Sequence, residues 1–253
     1  MELRLRLLYT ILLSVGSFCI VQAQELLGNT GGFNIPTADM EPAGTFRGGI
    51  NFIGNGIITS EKGADDHRWQ FDYNTGSYFV NFTFFDWLEA TFRETLLESD
   101  SYGKYNDYSH FREQDRSVTI KVRPLREGRY WPAVAIGIND PYSFTGHHVY
   151  SSVWLVMTKH EYLPILQGTL SATLGFAKAF DQSQMYNGLL AGIRYQPDIF
   201  PEGSAMIEYD SQGVNLGIQA LLWKHLGAYL FTRNFSTLGA GIKYQTTLKF
   251  RKK

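Results

Sequence analysis

One stretch decides the fold of this chain: Ser117-Val118-Thr119-Ile120-Lys121-Val122-Arg123. Its polar side chains alternate one by one with Val118, Ile120 and Val122. Successive side chains of a β-strand point to opposite faces, so the stretch predicts a strand with one polar face and one apolar face. A helix would scatter the three aliphatic residues around its surface, and the alternation therefore argues against a helix.

The same alternation recurs along the chain, most clearly in residues 88–96 and 238–248 and more weakly in residues 169–177 and 214–221. Roughly twelve such segments can be counted, each bounded by turn residues, as in single-chain bacterial membrane barrels. The sequence therefore predicts an all-β fold, an antiparallel transmembrane β-barrel. Its strands are predicted to begin near Gly44, Tyr78, Leu88, Arg116, Pro132, Val149, Ile165, Gly188, Ser204, Val214, Leu226 and Leu238.

The composition agrees with a barrel and argues against several other classes. Among the 253 residues, 15% are aromatic and 19% are charged, with 25 Gly, which excludes a disordered chain and disfavours a helix bundle. A net charge of −1 gives no general attraction to nucleic acid. The mean hydropathy of −0.19 argues against a helical membrane protein but not against strands whose two faces average out. A single Cys excludes a disulfide framework.

The first residues have the pattern of a secretory signal peptide. Arg4 and Arg6 precede an apolar run at residues 7–21, and small residues near Ala23 fit a cleavage site. The run is shorter than the roughly 20 residues that a spanning helix needs. We therefore expect export to the outer membrane of a diderm bacterium. The chain is expected to divide into a signal peptide at 1–23, an N-terminal leader or plug at 24–42 and a barrel at 43–253.

The predicted leader is expected to be ordered, either inside the lumen as a plug or beneath the barrel. Phe33, Ile35 and Met40 supply apolar groups that need burial. Pro36 favours an extended backbone at the residue before it. The alternative is a disordered periplasmic leader, as chain ends commonly are.

The predicted connections alternate between tight turns and longer polar loops. Tight turns are predicted at residues 85–87, 126–128, 160–163 and 223–225. Longer loops are predicted at the other strand ends, at residues 54–76, 99–114, 139–146 and 181–184. Short periplasmic turns and longer outer loops are typical of outer membrane barrels. Trp87, Trp131 and Trp223 lie beside the tight turns, which predicts an aromatic girdle; in the alternative, a soluble β-sandwich, they would be core residues.

Charged residues on the polar faces of the predicted strands are candidate lumen residues: Glu89, Arg93, Lys121, Arg123, Arg194, Glu208 and Lys243. Buried charges are normally paired, so we expect these residues to pair and fill the lumen. Arg194 and Glu208, on neighbouring strands, could pair across their hairpin. A functional interpretation makes the set a polar path for a sugar or an anion. Small inward residues such as Ala135, Gly137 and Gly239 leave room for larger opposing side chains or for a passage.

No catalytic motif stands out in the sequence. The best cluster is His147 and His148 on a predicted outer loop near Ser151 and Asp140, which would suit an outer membrane lipid-modifying hydrolase. None of the six His has a metal-ligand spacing. We therefore expect a protein that is not an enzyme and has no catalytic residue, metal or cofactor. The hydrolase and a small passive porin are kept as alternatives.

Four motifs occur in order between Gly31 and Lys159. A Gly-rich start leads to a Pro-Thr-Ala stretch, and an Asp-Trp-Leu-Glu turn follows at residues 86–89. An Asp-Arg-Ser segment and a Tyr-Trp-Pro-Ala segment come next, and the fourth motif comprises Gly146, residues 150–152, Leu155-Val156 and Lys159. Together they resemble the YjbH family of outer membrane proteins. The residues taken to carry this resemblance are Pro36, Thr37, Ala38, Met40, Gly44, Trp87, Asp115, Arg116, Trp131 and Pro132.

The resemblance implies a function that the residue pattern alone does not. It implies an accessory role in secretion or surface assembly of exopolysaccharide or capsule, in a short member of the family with a single barrel. The expected partners are outer membrane lipid and, through the resemblance, polysaccharide and polysaccharide-export proteins, with no nucleic acid.

Overall fold

The computed structural model describes residues 26–58, 73–98, 111–141, 150–180 and 186–248, with side chains described except at 97–98 and 111–114. Twelve β-strands form in these ranges. They are β1 (Thr45–Ile53), β2 (Thr75–Phe85), β3 (Leu88–Glu98), β4 (Phe111–Leu125), β5 (Ala133–Asn139), β6 (Ser152–Leu163), β7 (Gly168–Ala179), β8 (Gly188–Pro197), β9 (Gly203–Tyr209), β10 (Val214–Leu222), β11 (Leu226–Arg233) and β12 (Thr237–Thr247).

The strands form one closed antiparallel barrel in which each strand pairs with its neighbours in the sequence. Closure comes from β1, which pairs with β2 on one side and with β12 on the other, so that Ile50 lies opposite both Tyr78 and Ile242. Closing the sheet leaves no unpaired strand edge, as a bilayer interior requires. The predicted all-β fold, its antiparallel pairing and its twelve strands are confirmed.

Some predicted strand boundaries were wrong by a few residues. β4 begins at Phe111, inside the predicted loop at 99–114, and β6 runs on through the predicted turn at 160–163. Polar side chains suggested a loop at the first place, and a tight turn was predicted at the second, whereas in both places the backbone continues to pair with its neighbour. Residues 59–72 of the predicted loop at 54–76 lie outside the described residues.

The outer surface of the barrel carries a continuous apolar belt. Each strand contributes at least one aliphatic or aromatic side chain, and these side chains are 38% to 62% exposed. In water such a surface would be strongly unfavourable, whereas in a bilayer it is matched by the lipid chains. Among the described residues, no helix is long and apolar enough to cross a membrane. One belt residue per strand gives Ile50, Val80, Phe92, Ile120, Ile136, Leu155, Leu174, Ile193, Ile207, Ile218, Leu230 and Ile242.

The two ends of the barrel differ. The turn end, where β1 begins and β12 ends, holds five short connections, two of which are the three-residue turn at 223–225 and the two-residue turn between β2 and β3. The loop end holds the longer connections, with tight turns only between β9 and β10 and between β11 and β12. Trp87, Trp131 and Trp223 are exposed at the turn end, where a membrane interface favours such rings.

Small inward residues make room for aromatic side chains in the lumen. A Cβ added to Gly137 would lie 2.1 Å from the ring of Trp154, and one added to Gly239 would lie 2.3 Å from the ring of Phe231. Trp154 and Phe231 are both buried. At these positions the small residues therefore accommodate opposing side chains rather than a passage.

Candidate functional site

The lumen is occupied by the chain's own N-terminal segment. Residues 26–41, which we call the plug, are buried throughout. The plug folds back on itself: the amide of Leu26 donates to the carbonyl of Phe33, and an isolated bridge joins Gly31 to Pro36. It then leads into β1 at Thr45, at the turn end. The candidate site is therefore the contact between the plug and the lumen wall.

Glu89 of β3 binds the middle of the plug. Its carboxylate accepts hydrogen bonds from the backbone N–H of Thr30 at 2.8 Å and from the Thr30 hydroxyl at 2.7 Å. Arg47 lies 3.4 Å and Lys121 lies 3.6 Å from the same carboxylate. All of these side chains are fully buried, so the two cations compensate the charge that burial would otherwise disfavour.

Two cations of the wall also bind the plug directly. Lys121 Nζ donates to the backbone carbonyls of Thr30 and Asp39, each at 2.7 Å. Arg47 donates to the Thr30 hydroxyl at 2.7 Å and pairs with Glu41 at 3.6 Å. A single lysine thus links two plug residues that are nine positions apart, which fixes the plug as a compact unit.

Glu208 and Asp210 hold the opposite part of the plug, towards the loop end. The Glu208 carboxylate accepts the backbone N–H groups of Phe33 and Asn34. The Asn34 side chain donates to Asp210 at 2.5 Å. Carboxylates that accept adjacent backbone N–H groups satisfy donors that would otherwise be buried without partners. Tyr186 adds a hydrogen bond from its hydroxyl to Asn34 at 3.3 Å.

Asp39 links the plug to the turn end through an ionic network. Its carboxylate lies 3.1 Å from Arg194 Nη2 and 3.3 Å from His160 Nε2. His160 Nδ1 in turn lies 2.6 Å from Glu127, on the turn after β4, and Glu127 also pairs with Lys159 at 2.8 Å. The network runs from the plug through β6 to an exposed end of the barrel.

The groups around Asp39 lower the pKa of its carboxyl by more than burial raises it. Burial alone would raise the pKa of the Asp39 carboxyl, but the hydrogen bond from His160 and the charge of Arg194 lower it well below its ordinary value of 3.8. For Glu127, partial burial raises the pKa, and the hydrogen bonds from Lys159 and His160 reverse this and lower it. Both carboxylates are therefore ionised at neutral pH.

Apolar contacts complete the fit of the plug. The Phe33 ring stacks on Phe231 with centroids 5.2 Å apart and an interplanar angle of 9°. Ile35 packs over Gly192, where an added Cβ would come within 2.9 Å of its side chain. Leu26, Leu27, Phe33 and Ile35 belong to the same buried cluster as the lumen aromatic residues.

Four of the seven predicted lumen residues contact the plug: Glu89, Lys121, Arg194 and Glu208. Arg93 is buried under the Tyr150 ring, 3.7 Å from its centroid, and Arg123 donates to the carbonyl of Asp86 at the turn end. Lys243 is buried on β12.

The predicted pairing of Arg194 with Glu208 was wrong. In the register of β8 and β9, Arg194 lies opposite Met206, and Glu208 lies opposite Gly192. The Arg194 guanidinium pairs with Asp39 and the Glu208 carboxylate binds plug amides. The plug supplies partners that local strand geometry does not reveal.

Several plug contacts were not predicted. Arg47 and Asn51 alternate with Phe46, Ile50 and Phe52, so the inward face of β1 was visible in the sequence, although two successive Gly interrupt it. No comparable sequence pattern indicated that Asp39 and His160 would contact each other. Their roles depend on a contact between segments more than a hundred residues apart.

The residues taken to carry the family resemblance serve different parts of the structure. Pro36 forms the bridge with Gly31, Thr37 accepts the amide of Asp39 at 3.3 Å, and Ala38 donates its amide to Thr158 at 2.9 Å. The others lie in the plug, in the lumen wall, on the outer face or at the turn end. Met40 and Asp115 are buried, Gly44 takes a positive φ of 85° ahead of β1, Arg116 pairs with Glu94 on the outer face, and Trp87, Trp131 and Pro132 lie at the turn end.

The candidate hydrolase cluster is described only in part. His147 and His148 lie outside the described residues. Asp140 is buried, and its carboxylate accepts from the Ser117 hydroxyl and the Val118 amide. The Ser151 hydroxyl donates to the backbone carbonyl of Asp140 at 3.5 Å. In the part of the chain that the structure describes, no three His, Cys, Asp or Glu side chains lie together in a group that could hold a metal ion.

A closed antiparallel barrel with an apolar outer belt and a filled lumen defines a plugged transmembrane β-barrel. The model of the YjbH family, described as exopolysaccharide biosynthesis protein YbjH, matches residues 59–252. The chain therefore belongs to the YjbH family, and the resemblance inferred from its motifs is confirmed. The Pro-Thr-Ala stretch of the plug lies ahead of the matched residues.

Two solved structures are similar to this chain at low sequence identity. An outer membrane channel from Pseudomonas putida F1 has a TM-score of 0.43 and 11% identity, over 85% of this chain and 100% of the other. The outer membrane protein Omp33 of Acinetobacter baumannii has a TM-score of 0.43 and 10% identity, over 81% of this chain and 98% of its own. No curated protein matches the sequence.

Proposed function

We propose that the protein is a plugged outer membrane barrel that assists the secretion or surface assembly of exopolysaccharide or capsule, without catalysing a reaction. The observation that carries this proposal is the lumen, which contains many buried polar and charged side chains and is filled by a segment of the same chain. The family description, exopolysaccharide biosynthesis protein, supplies the polymer class. A filled lumen is consistent with a protein that acts only when its lumen is opened or when a partner protein binds to it.

The outer membrane is the location that this architecture favours. Closed antiparallel barrels with an apolar outer belt and aromatic residues at the interfaces are the typical proteins of that membrane. The predicted signal peptide at 1–23, which lies outside the described residues, is in keeping with export. Boiled and unboiled samples from an outer membrane fraction are expected to migrate differently on a gel. Recovery as a periplasmic species with one mobility would contradict this location.

The filled lumen argues against a permanently open porin, the first alternative. Lys121 and Glu208 each make two hydrogen bonds to the plug backbone, and Glu89 binds both the backbone N–H and the hydroxyl of Thr30. Breaking such a set of buried, charge-assisted bonds is costly. Wild-type protein in a planar bilayer is therefore expected to be closed most of the time, and steady conductance would favour the porin.

Gene deletion tests the proposed role in the producing strain. Loss of the protein is expected to reduce surface polysaccharide, and expression of the wild-type chain is expected to restore it. A chain with both His147→Ala and His148→Ala is expected to restore it equally, because the proposal requires no catalytic histidine. Unchanged polysaccharide after deletion would overturn the proposed function. Failure of a folded double-His variant alone would favour the hydrolase, the second alternative.

A further inference from the structure

The wall of the lumen has more buried cations than carboxylates in one half, and more carboxylates than cations in the other. Four buried cations line the half nearer the turn end: Arg47, Lys121, Arg194 and Lys243. Glu89 is the one buried carboxylate that the described strands contribute to this half. The half nearer the loop end instead contains four buried carboxylates, Asp115, Asp140, Glu208 and Asp210, and two buried cations, Arg93 and Arg233, which pair with Asp115 and Asp210. We call the first region the basic half of the lumen.

The plug places its own acidic groups in the basic half. Asp39 pairs with Arg194 at 3.1 Å, and Glu41 pairs with Arg47 at 3.6 Å. Asp39 and Glu41 are the only charged residues of the plug. The plug therefore occupies the basic half in the way that an acidic ligand would.

The wall around Asp39 offers further groups that suit a carboxylate-bearing sugar. A small cleft beside the plug is lined by Asp39, Arg194 and the hydroxyls of Thr37, Ser171 and Thr173, and also by the apolar side chains of Ile35 and Met206. Arg194 is 4% exposed, and its Nε and Nη1 atoms have no hydrogen-bond partner among the described residues. A buried guanidinium with unused donors can bind a carboxylate, and the hydroxyls can bind the sugar ring.

We propose that the basic half of the lumen is a binding site for an acidic polysaccharide, one that carries uronate carboxylates, and that Asp39 and Glu41 of the plug occupy it in the resting state. This inference rests on the proposed function and names the class of polymer. The polymer competes with the plug from the turn end. A neutral polymer gains nothing from the four cations, so charge distinguishes the two classes of substrate.

The test measures equilibrium binding of two matched probes to the purified full chain. The acidic probe is a hexamer of galacturonate, and the neutral probe is maltohexaose. The double variant Asp39→Asn/Glu41→Gln removes the acidic groups of the plug and keeps its shape. It is expected to bind the acidic hexamer about tenfold more tightly than the neutral one. Wild-type protein is expected to show a smaller preference, since its plug competes.

Further variants identify the site. Adding Arg194→Gln to the double variant is expected to bring acidic binding close to the neutral level, whereas adding Lys224→Gln on an exposed turn is expected to leave it unchanged. If the double variant does not give a heat-modifiable barrel, Glu41→Gln alone is used, because its carboxylate makes a single ion pair at the edge of the site. Equal binding of both probes in the folded variant would overturn the inference.

The outcome is separable from that of the proposed function. Loss of surface polysaccharide on deletion, together with equal binding of the two probes, would retain the role in secretion and reject the acidic substrate. Normal surface polysaccharide on deletion would reject the role itself, whichever probe binds.

Discussion

Glu89 is the carboxylate at which plug, β1 and β4 meet. It accepts two hydrogen bonds from Thr30 and is flanked by Arg47 and Lys121, all without solvent contact. A neutral residue here would remove one ion pair from each of these two buried cations. The wall and the plug are thus electrostatically dependent on each other.

Glu89→Gln tests this dependence. The change keeps the shape of the side chain and removes its charge, and it is expected to destabilise the folded barrel by about 3–5 kcal/mol. The measurement is the temperature at which the unboiled gel band converts to the boiled one. Glu202→Gln, on an exposed turn, is the control and is expected to leave that temperature unchanged. Equal conversion temperatures would show that the Glu89 charge is not needed.

Asp39 predicts a defined pH dependence. Its pKa is lower in the folded chain than the ordinary value of 3.8, so its ionised form stabilises the fold fully above that value. The stabilisation is lost as the pH falls below 3.8 towards the lowered pKa. The stability difference between wild type and Asp39→Asn is therefore expected to shrink as the pH falls below 3.8. A difference that grows on acidification below pH 3.8 would contradict the assignment.

Among the elements, the plug is the one whose fit decides whether the barrel is open. Gly32 lies against Glu208, and a Cβ there would be 2.1 Å from a carboxylate oxygen. That carboxylate is held by the amides of Phe33 and Asn34 and has little freedom to move. The plug therefore depends on a glycine at this contact.

Gly32→Val is expected to unseat the plug. The measurement is conductance in a planar bilayer, where opening events should become about tenfold more frequent than in wild type, as for a contact worth somewhat more than one kcal/mol. Gly48→Val is the control, because a Cβ at Gly48 meets no atom closer than 3.6 Å. Unchanged closure in Gly32→Val would mean that the plug does not seal the lumen.

The belt of outward side chains gives a second prediction at the scale of elements. Ile218 of β10 is 62% exposed, and Ile199 on the turn after β8 is 95% exposed. Ile218→Arg is expected to destabilise the membrane-inserted barrel by about 2–4 kcal/mol, because it places a charge in the lipid. Ile199→Arg, outside the strands, is expected to be nearly neutral. Tolerance of both changes would indicate a barrel that faces water.

At the scale of the whole molecule, the sequence predicted the wall of the barrel better than its contents. The alternation of polar and apolar residues in β4 and β12 depends only on neighbours along one strand. It therefore predicted the number of strands and which face of each strand is polar. The partners of Glu208 and Arg194 come from the plug, which no local pattern relates to β8 or β9. Polar side chains near Phe111 suggested a loop, although they belong to β4. The sequence does not show where along β4 the strand leaves the membrane.

The central claim is that residues 26–41 fill the lumen of the membrane-inserted barrel, and a disulfide crosslink tests it most directly. The Ala38 amide lies 2.9 Å from the Thr158 hydroxyl, so Ala38→Cys with Thr158→Cys is expected to form a disulfide under mild oxidation in native membranes. Cys19 is replaced by Ser in both double-cysteine variants. Ala38→Cys with Thr75→Cys, at the loop end of β2, is the control pair and is expected not to crosslink. Crosslinking of the first pair alone supports a plugged barrel. No crosslink in the first pair, with the folded barrel intact, would contradict it.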